Sequence, residues 1–190
     1  MSSVPPPASL PTVYPADLEH AWQPPGGPPL LIRALRPDDL EREMHFISLL
    51  SQESLYQRVQ YFAGEISADS AARLLDVDYV GSLALGAITG PADGGEIVGV
   101  SRYARIEGTD RAECAVVVAD AWQGRGLGTE LMRSLALAAR ARGILALVGL
   151  SLAENTRIAK WARQFGFRAI TEPNSGGMVH VTLDLTELPL

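Results

Sequence analysis

Short apolar runs of strand length alternate with longer stretches of helical spacing, and their order predicts the elements of the chain. Runs rich in apolar and β-branched residues predict strands at 30–35, 80–89, 96–106, 112–119, 144–152, 167–170 and 178–185. Helical spacing, with start and stop signals around it, predicts helices at 37–50, 53–60, 68–75, 128–142 and 155–165. This order predicts a mixed α/β fold with a largely antiparallel central sheet flanked by helices.

Turn residues between the strands indicate how they connect. Gly-Pro-Ala-Asp-Gly-Gly at 90–95 predicts a hairpin loop, and a second turn is expected at 107–111. We therefore expect three consecutive antiparallel strands in the middle of the chain. The later run at 144–152 is apolar almost throughout, which predicts a strand covered on both faces.

The beginning of the chain differs from the rest in its proline content. Residues 1–29 contain nine of the thirteen prolines, so they cannot form a regular helix or an interior strand. They are interpreted as a partly ordered tail or linker, which Tyr14, Leu18 and Trp22 can anchor by packing. Residues 30–190 are expected to form a single domain.

Composition limits the class of protein. The chain has 47% hydrophobic residues and a net charge of −6, which is ordinary for a globular protein and disfavours general nucleic-acid binding. No apolar run is long enough for a bilayer, and residues 1–10 lack the features of a secretory signal. Cys114 is the single cysteine and the histidines are scattered. We therefore expect a cytoplasmic protein with no metal, no membrane partner and no nucleic-acid partner.

Charge is distributed unevenly along the chain. Residues 112–170 contain eight basic and four acidic side chains, a net charge of +4, so the remainder carries −10. A basic segment suits a polyanionic cofactor, and an acidic remainder suits a cationic substrate such as an amine. The alternative is that these charged side chains lie on solvated faces and are clustered by chance.

The basic segment contains a glycine-rich loop, Gln-Gly-Arg-Gly-Leu-Gly-Thr at 123–129, between a predicted strand and a predicted helix. Backbone N–H groups at the start of a helix are a favourable site for a phosphate or pyrophosphate. The loop lacks the lysine of a P-loop and the Gly-x-Gly-x-x-Gly spacing of a dinucleotide fold, which excludes both motifs.

The loop matches the pattern Gln/Arg-x-x-Gly-x-Gly/Ala through Gln123, Gly126 and Gly128, and here the chain resembles the GNAT superfamily of acyl-CoA-dependent N-acyltransferases. Residues 14–184 look like the acetyltransferase domain of bacterial Pat-type protein lysine acetyltransferases. The segments that carry this resemblance are 14–19, 32–39, 54–58 and 112–124. The resemblance implies the GNAT fold, with acetyl-CoA as cosubstrate.

Acyl transfer to an amine needs a base for the amine proton and donors for the thioester carbonyl. Glu113 is the only acidic residue in the predicted strand 112–119, and the period of two places it on one face with Ala115 and Val117. In Pat-type enzymes the matching glutamate is the general base, so the resemblance assigns that role to Glu113. The alternative is a solvated residue near the start of the strand.

The resemblance also implies which residues bind acetyl-CoA. Backbone N–H groups around Val116 and Val118 are expected to hold the thioester carbonyl and to pair with the pantetheine arm. Asn155 is expected to bond the same arm, a role compatible with capping a helix. The pyrophosphate is expected on the glycine-rich loop, through the backbone or side chains of Gln123, Gly124, Arg125, Gly126, Gly128 and Thr129.

Two positions bear on the mechanism. Many superfamily members place a tyrosine four residues before a Gly-Phe pair to protonate the thiolate, whereas this chain has Ala162 before Gly166 and Phe167. We assign no general acid and expect solvent to protonate the thiolate. Cys114 adjoins Glu113 but points to the opposite face, so we expect a small buried hydrophobic residue rather than a nucleophile.

These observations predict an acetyltransferase that moves an acetyl group from acetyl-CoA to a primary amine by direct attack. The resemblance favours a protein substrate that presents a lysine ε-amine. Acetylation of a small amine is the alternative enzyme, and a non-catalytic acyl-CoA sensor is the alternative from another class. The chain can also be a homodimer.

Overall fold

The computed structural model describes residues 13–51, 54, 68–90, 94–170 and 177–188. The strands are β1 (His20–Trp22), β2 (Leu30–Ala34), β3 (Ser82–Thr89), β4 (Ile97–Arg105), β5 (Arg111–Val118), β6 (Ala146–Leu152), β7 (Arg168–Ile170) and β8 (Met178–Asp184). The helices are α1 (Leu40–Ser48), α2 (Ala68–Leu75), α3 (Leu127–Ala141) and α4 (Thr156–Phe165), with short 3-10 turns at Ala16–Leu18, Pro37–Asp39 and Asp120–Trp122. In this part of the chain no helix is long and apolar enough to cross a membrane.

All eight described strands form one sheet in the order β1-β2-β3-β4-β5-β6-β8-β7. Neighbouring strands in this described sheet pair antiparallel, except β5 and β6, which pair parallel. A parallel pair needs a crossover connection, and α3 supplies it. The predicted mixed α/β class with a largely antiparallel sheet is confirmed.

The two faces of the sheet bury different helices. On one face α3 and α4 cover the centre of the sheet, and the buried residues of α3 include Leu127, Leu131 and Leu135. On the other face α1 and α2 pack through side chains such as Phe46 and Leu75. The apolar stripe of each helix is what places it on its face, since burial of that stripe drives the packing.

The described part of the proline-rich segment contributes the edge strand β1 to the sheet. β1 pairs antiparallel with β2, from His20 opposite Ile32 to Trp22 opposite Leu30. An edge strand tolerates neighbouring prolines because its outer N–H groups face no partner. Tyr14, Leu18 and Trp22 pack against the core on the α3 face.

The predicted elements agree closely with the described ones. The helix predicted at 128–142 is found at Leu127–Ala141, and the helix at 68–75 has the predicted bounds. The helix predicted at 53–60, apart from residue 54, and residues 91–93 of the predicted loop lie outside the described residues. The interpretation of 144–152 as a strand covered on both faces is wrong: Leu147 is buried within β6, whereas Leu150 is 40% exposed.

A buried ion pair fixes the start of α1 to the sheet. Arg33 in β2 is fully buried, and its guanidinium donates to both carboxylate oxygens of Asp39 at 2.7 Å. The same carboxylate accepts from the Arg36 amide and from the Arg42 guanidinium. Removing one partner of such a pair would leave an uncompensated buried charge, so it is a strong local constraint.

Candidate active site

β5 and β6 separate halfway along their length. Within these two described strands the parallel register begins at Arg111 opposite Ala146 and ends at Glu113 opposite Val148. β5 continues to pair with β4 as far as Val118. A cleft therefore opens between the second halves of β5 and β6, with one strand edge exposed along it.

The exposed edge of β5 presents alternate backbone groups to this cleft. The amide of Ala119 donates to Val98 on the β4 side at 2.9 Å. Because backbone groups alternate in direction along an antiparallel strand, the amides of Val116 and Val118 point the other way, toward β6. The orientation fits both roles expected of them, which are to donate to a carbonyl and to pair with an extended arm.

A cavity of about 770 Å³ occupies the cleft, and its lining residues belong to both faces of the sheet. On the α3 and α4 face its wall includes Met132, Ala162 and Phe167, and on the α1 and α2 face it includes Arg102 and Ala115. Side chains of both faces therefore meet around the point where the strands separate.

The glycine-rich loop closes one end of the cavity. Gly124 and Gly126 have positive φ values of 73° and 88°, conformations that favour glycine, and Gly126 is the N-cap of α3. Thr129 and Glu130 both donate to the Gly126 carbonyl. The start of α3 thus faces the cavity with the partial positive charge of its backbone dipoles.

Gln123 links the two sides of the cavity mouth. Its side-chain amide donates to the Val118 carbonyl at 3.0 Å and to Asp120 at 2.8 Å. Its carbonyl accepts from the Arg157 guanidinium, at the start of α4, at 2.8 Å. The Ser54 hydroxyl bonds Asp120 and is the main cause of a lowered pKa of that carboxyl.

Asn155 and Thr129 connect to α4 at the same mouth. The Asn155 side chain accepts from the Ile158 amide at 3.0 Å, so it is the N-cap of α4. The Trp161 indole N–H donates to the Thr129 hydroxyl at 3.0 Å, which joins α4 to the first turn of α3. Both residues also line the cavity.

Glu113 stands at the point where the strands separate. It is exposed, it lies opposite Ala104 of β4, and it shares the α1 and α2 face with Ala115 and Val117. Within β5, the residues that line the cavity begin with Cys114, the next residue along the strand. Glu113 is therefore adjacent to the cavity rather than part of its described wall.

Of the residues expected from the sequence, eight line the cavity and two do not. Arg125 is the second exception besides Glu113, since its guanidinium lies over the Trp122 ring at 5.5 Å. The eight that the structure brings together around one cavity are Val116, Val118, Gln123, Gly124, Gly126, Gly128, Thr129 and Asn155.

An ion pair beside the cavity was not predicted from the sequence. Arg102 of β4 lines the cavity opposite Ala115, and its guanidinium donates to Glu43 of α1 at 2.8 Å and to the Leu74 carbonyl. Glu43 is fully buried. In the sequence, Arg102 and Glu43 each place a charge at a core position of their element. That pattern could have indicated a buried ion pair, but it belongs to no known motif.

Cys114 is buried at the base of the cleft, as expected. Burial raises the pKa of its thiol to about 12, with a smaller contribution from Glu113. A neutral buried thiol is a poor nucleophile. Among the described residues, no group of three or more His, Cys, Asp or Glu side chains could hold a metal ion.

Comparisons with known proteins agree with this geometry. Residues 90–169 match the model of the acetyltransferase (GNAT) domain family. The chain is 37% identical over 155 residues to "Acetyltransferase PA5475" of Pseudomonas aeruginosa, covering 79% of this chain and 81% of that protein. That identity and coverage are enough to establish common family membership.

Solved structures show the same fold. The GNAT domain of S. lividans PAT superposes with a TM-score of 0.80 at 31% identity, covering 90% of this chain and 99% of that domain. YncA of Salmonella typhimurium, a putative acetyltransferase solved with its cofactor acetyl-CoA, has a TM-score of 0.65 at 19% identity, covering 85% and 96% of the two chains. The chain belongs to the GNAT family of acetyltransferases and is an acyl-CoA-dependent N-acetyltransferase that uses acetyl-CoA.

Proposed function

We propose that this enzyme acetylates the ε-amine of lysine in a protein substrate, with Glu113 as the general base. The observation that carries the proposal is the location of Glu113, at the end of the β5–β6 pairing and on the α1 and α2 face. The cavity is lined by residues of that face and of the opposite one. An amine arriving on the Glu113 side would meet a thioester held from the α3 side.

In the proposed reaction, Glu113 takes a proton from the lysine ammonium, directly or through one water. The neutral amine attacks the thioester carbonyl carbon, the C–N bond forms, the C–S bond breaks, and the cationic nitrogen releases its second proton to solvent to give the neutral amide. The backbone amides of Val116 and Val118 face the cleft and suit the developing oxyanion. The coenzyme A thiolate leaves and takes a proton from solvent.

The absence of a suitable acid at the usual tyrosine position supports the last step. Ala162 is buried there, and the neighbouring Trp161 directs its N–H to Thr129 at 3.0 Å. An indole N–H is a donor without useful acidity at neutral pH. We therefore assign protonation of the leaving thiolate to solvent rather than to a side chain of the described cavity wall.

The proposed acetyl-CoA site follows the mouth of the cavity. The pyrophosphate rests on the backbone of residues 124–129, at the positive end of α3, and the pantetheine arm extends along the free edge of β5. Asn155 can bond the arm while it caps α4, because its amide nitrogen is a donor and its oxygen serves the cap. Because Gln123 and Arg157 lie at the same mouth, their side chains must either move aside when acetyl-CoA binds or become ligands of its pyrophosphate.

The choice of a protein lysine rests on similarity. The GNAT domain of S. lividans PAT is 31% identical and matches over 90% of this chain, in agreement with the Pat-type segments of the sequence. A small amine is the alternative acceptor, favoured by the net charge of −10 outside residues 112–170. Membership of an acetyltransferase family favours either enzyme over a non-catalytic sensor.

The acceptor can be identified by competition. The purified enzyme, acetyl-CoA, a mixture of folded bacterial proteins and a panel of polyamines and amino acids are incubated together. Mass spectrometry then quantifies acetyl-lysine in the proteins and acetylated small amines. We expect site-specific acetyl-lysine that requires enzyme and exceeds the chemical background; acetylation confined to small amines would contradict the lysine assignment.

A further inference from the structure

The edge strand β1 contacts the start of α3 through two side chains of the same face. The Nε2 atom of His20 lies 3.3 Å from the Glu130 carboxylate and 3.4 Å from the Ser134 hydroxyl. The Trp22 ring lies 3.8 Å from the position that a β-carbon would take on Gly126. The strand therefore lies along the first turns of the helix.

The spacing of these contacts explains how the two elements fit. Residues two apart share one face of a strand, and residues four apart share one face of a helix. His20 and Trp22 meet the first condition, while Gly126, Glu130 and Ser134 meet the second. One face of β1 therefore lies along one stripe of α3 over two helical turns.

Both ends of the contact are fixed to the rest of the protein. β1 pairs with β2 through three residue pairs, and the other ring nitrogen of His20 bonds the Leu18 carbonyl at 3.0 Å. Trp22 is partly buried and packs against the core that contains Leu127. Movement of α3 along its axis would change the spacing between Trp22 and Gly126 and break the polar contacts at Glu130.

We propose that β1 positions the acetyl-CoA site, with Trp22 and His20 as positioning residues for the first turn of α3. Neither side chain belongs to the described wall of the cavity, so they act through Gly126 and the helix rather than by touching the ligand. The inference rests on the proposed placement of the pyrophosphate at residues 124–129. It gives Trp22 and His20, which lie in the proline-rich segment, a role in binding.

The physical reason is the precision that backbone anion sites require. Amide groups bind a pyrophosphate well only when several of them point at it together, and a misplacement of about 1 Å can cost an enzyme about 100-fold in rate. Gly126 is also the N-cap of α3 with φ of 88°, a conformation without a side chain to hold it. The Trp22 ring lies 3.8 Å from where a β-carbon of Gly126 would stand, so it limits how far this glycine can shift toward β1.

The test uses the full-length chain and measures coenzyme A binding by calorimetry, without any acceptor amine. We expect Trp22→Ala to weaken binding about tenfold and to raise KM for acetyl-CoA in parallel, while kcat at saturating acetyl-CoA changes less than about twofold. Trp22→Phe should restore most of the affinity. His20→Ala, which removes only the polar contacts, should weaken binding about threefold.

Two controls separate positioning from general destabilisation. Ala21→Ser alters the same strand on its opposite face, where Ala21 is exposed, and should bind like the wild type. Leu75→Ala removes a buried side chain of α2 on the other face of the sheet and lowers stability without touching α3 or β1. If Leu75→Ala weakens coenzyme A binding as much as Trp22→Ala at equal loss of Tm, positioning is wrong.

A loop variant separates this inference from the proposed site. A β-carbon on Gly128 would lie 3.6 Å from Val118, an ordinary contact, so Gly128→Asp places its β-carbon without a clash and adds a negative charge at the proposed pyrophosphate position. Loss of binding in Gly128→Asp with normal binding in Trp22→Ala and His20→Ala would overturn the inference alone. Normal binding in Gly128→Asp would overturn the site itself. If Trp22→Ala does not fold, His20→Ala and Trp22→Phe decide.

Discussion

The Trp161 indole donates a hydrogen bond to the Thr129 hydroxyl at 3.0 Å, so the two helices at the cavity mouth are joined across it. Both residues line the cavity, and the Trp161 ring also stacks near Phe165 with centroids 5.5 Å apart. The bond fixes the spacing of α3 and α4 on either side of the proposed pantetheine path.

Trp161→Phe tests whether this bond serves binding or chemistry. The variant keeps an aromatic ring and loses the N–H donor, which contributes about 0.5–1.5 kcal/mol. We expect KM for acetyl-CoA to rise about two- to tenfold and kcat to stay within about twofold, measured by steady-state kinetics. Thr129→Val should give the same increase, and the double variant should add little to it. A fall in kcat of about 100-fold would instead indicate a catalytic role for Trp161.

Two glycines of the loop should respond differently to alanine. Gly126 has φ of 88°, a conformation that costs a residue with a β-carbon about 1–2 kcal/mol. A β-carbon there would not clash, since the Trp22 ring would lie 3.8 Å from it. Gly128 carries no such constraint and has ordinary clearance. By urea unfolding, Gly126→Ala should lose about 1–2 kcal/mol and Gly128→Ala less than about 0.5 kcal/mol. Equal losses would show that the loop conformation is not what selects glycine at 126.

The buried pair of Arg33 and Asp39 should make stability depend on acid pH. Burial opposes the charged form of Asp39, but hydrogen bonds from the Arg33 guanidinium and the Arg36 amide outweigh it and lower the pKa to about 2. The unfolded value is about 3.9. The stabilisation is therefore complete above about pH 4 and is lost as the pH falls through about 2, a loss of about 2 kcal/mol in the free energy of unfolding.

Neighbouring aspartates provide the control for this prediction. Asp39→Asn leaves the Arg33 charge buried without its counter-ion and should lose about 3–5 kcal/mol at neutral pH. Asp38→Asn alters an exposed residue and should change the free energy by less than about 0.5 kcal/mol. Urea unfolding of both variants decides; similar losses would mean that the pair does not anchor α1.

Cys114 should not carry an acetyl group during the reaction. Its buried thiol has a pKa raised to about 12, so it stays neutral at physiological pH. Incubation of the enzyme with acetyl-CoA in the absence of acceptor should give no acetylated Cys114 by intact-mass and peptide analysis. Rapid formation of an acetyl-enzyme at this cysteine would replace direct attack with a two-step mechanism.

Local sequence patterns predicted the elements well, because apolar periodicity and turn residues act over a few positions. The helix α3 differs from its predicted bounds by one residue at each end. The strand β1 was not predicted, since the prolines around it obscure a strand that depends on pairing with β2. β6 has an apolar sequence suited to two covered faces, yet the separation from β5 leaves Leu150 exposed.

The site was predictable where a motif is continuous and unpredictable where it is assembled by folding. The loop at 123–129 and the strand before it are local, so their residues could be named in advance. Arg102 and Glu43 lie 59 positions apart, and only the packing of α1 on β4 brings them together beside the cavity. The contacts of His20 with α3 span more than 100 positions and are equally invisible to local patterns.

The rate of acetyl transfer in Glu113→Gln tests the proposed mechanism most directly. Glu107→Gln is the matched control, because Glu107 is an exposed glutamate in the turn just before β5. Acetyl-CoA affinity is measured by calorimetry, and turnover is followed with a lysine peptide taken from an identified substrate. We predict that Glu113→Gln binds acetyl-CoA within about twofold of the wild type and loses about 10²–10⁴-fold in kcat, while Glu107→Gln keeps both. Wild-type turnover in Glu113→Gln would contradict its assignment as the base.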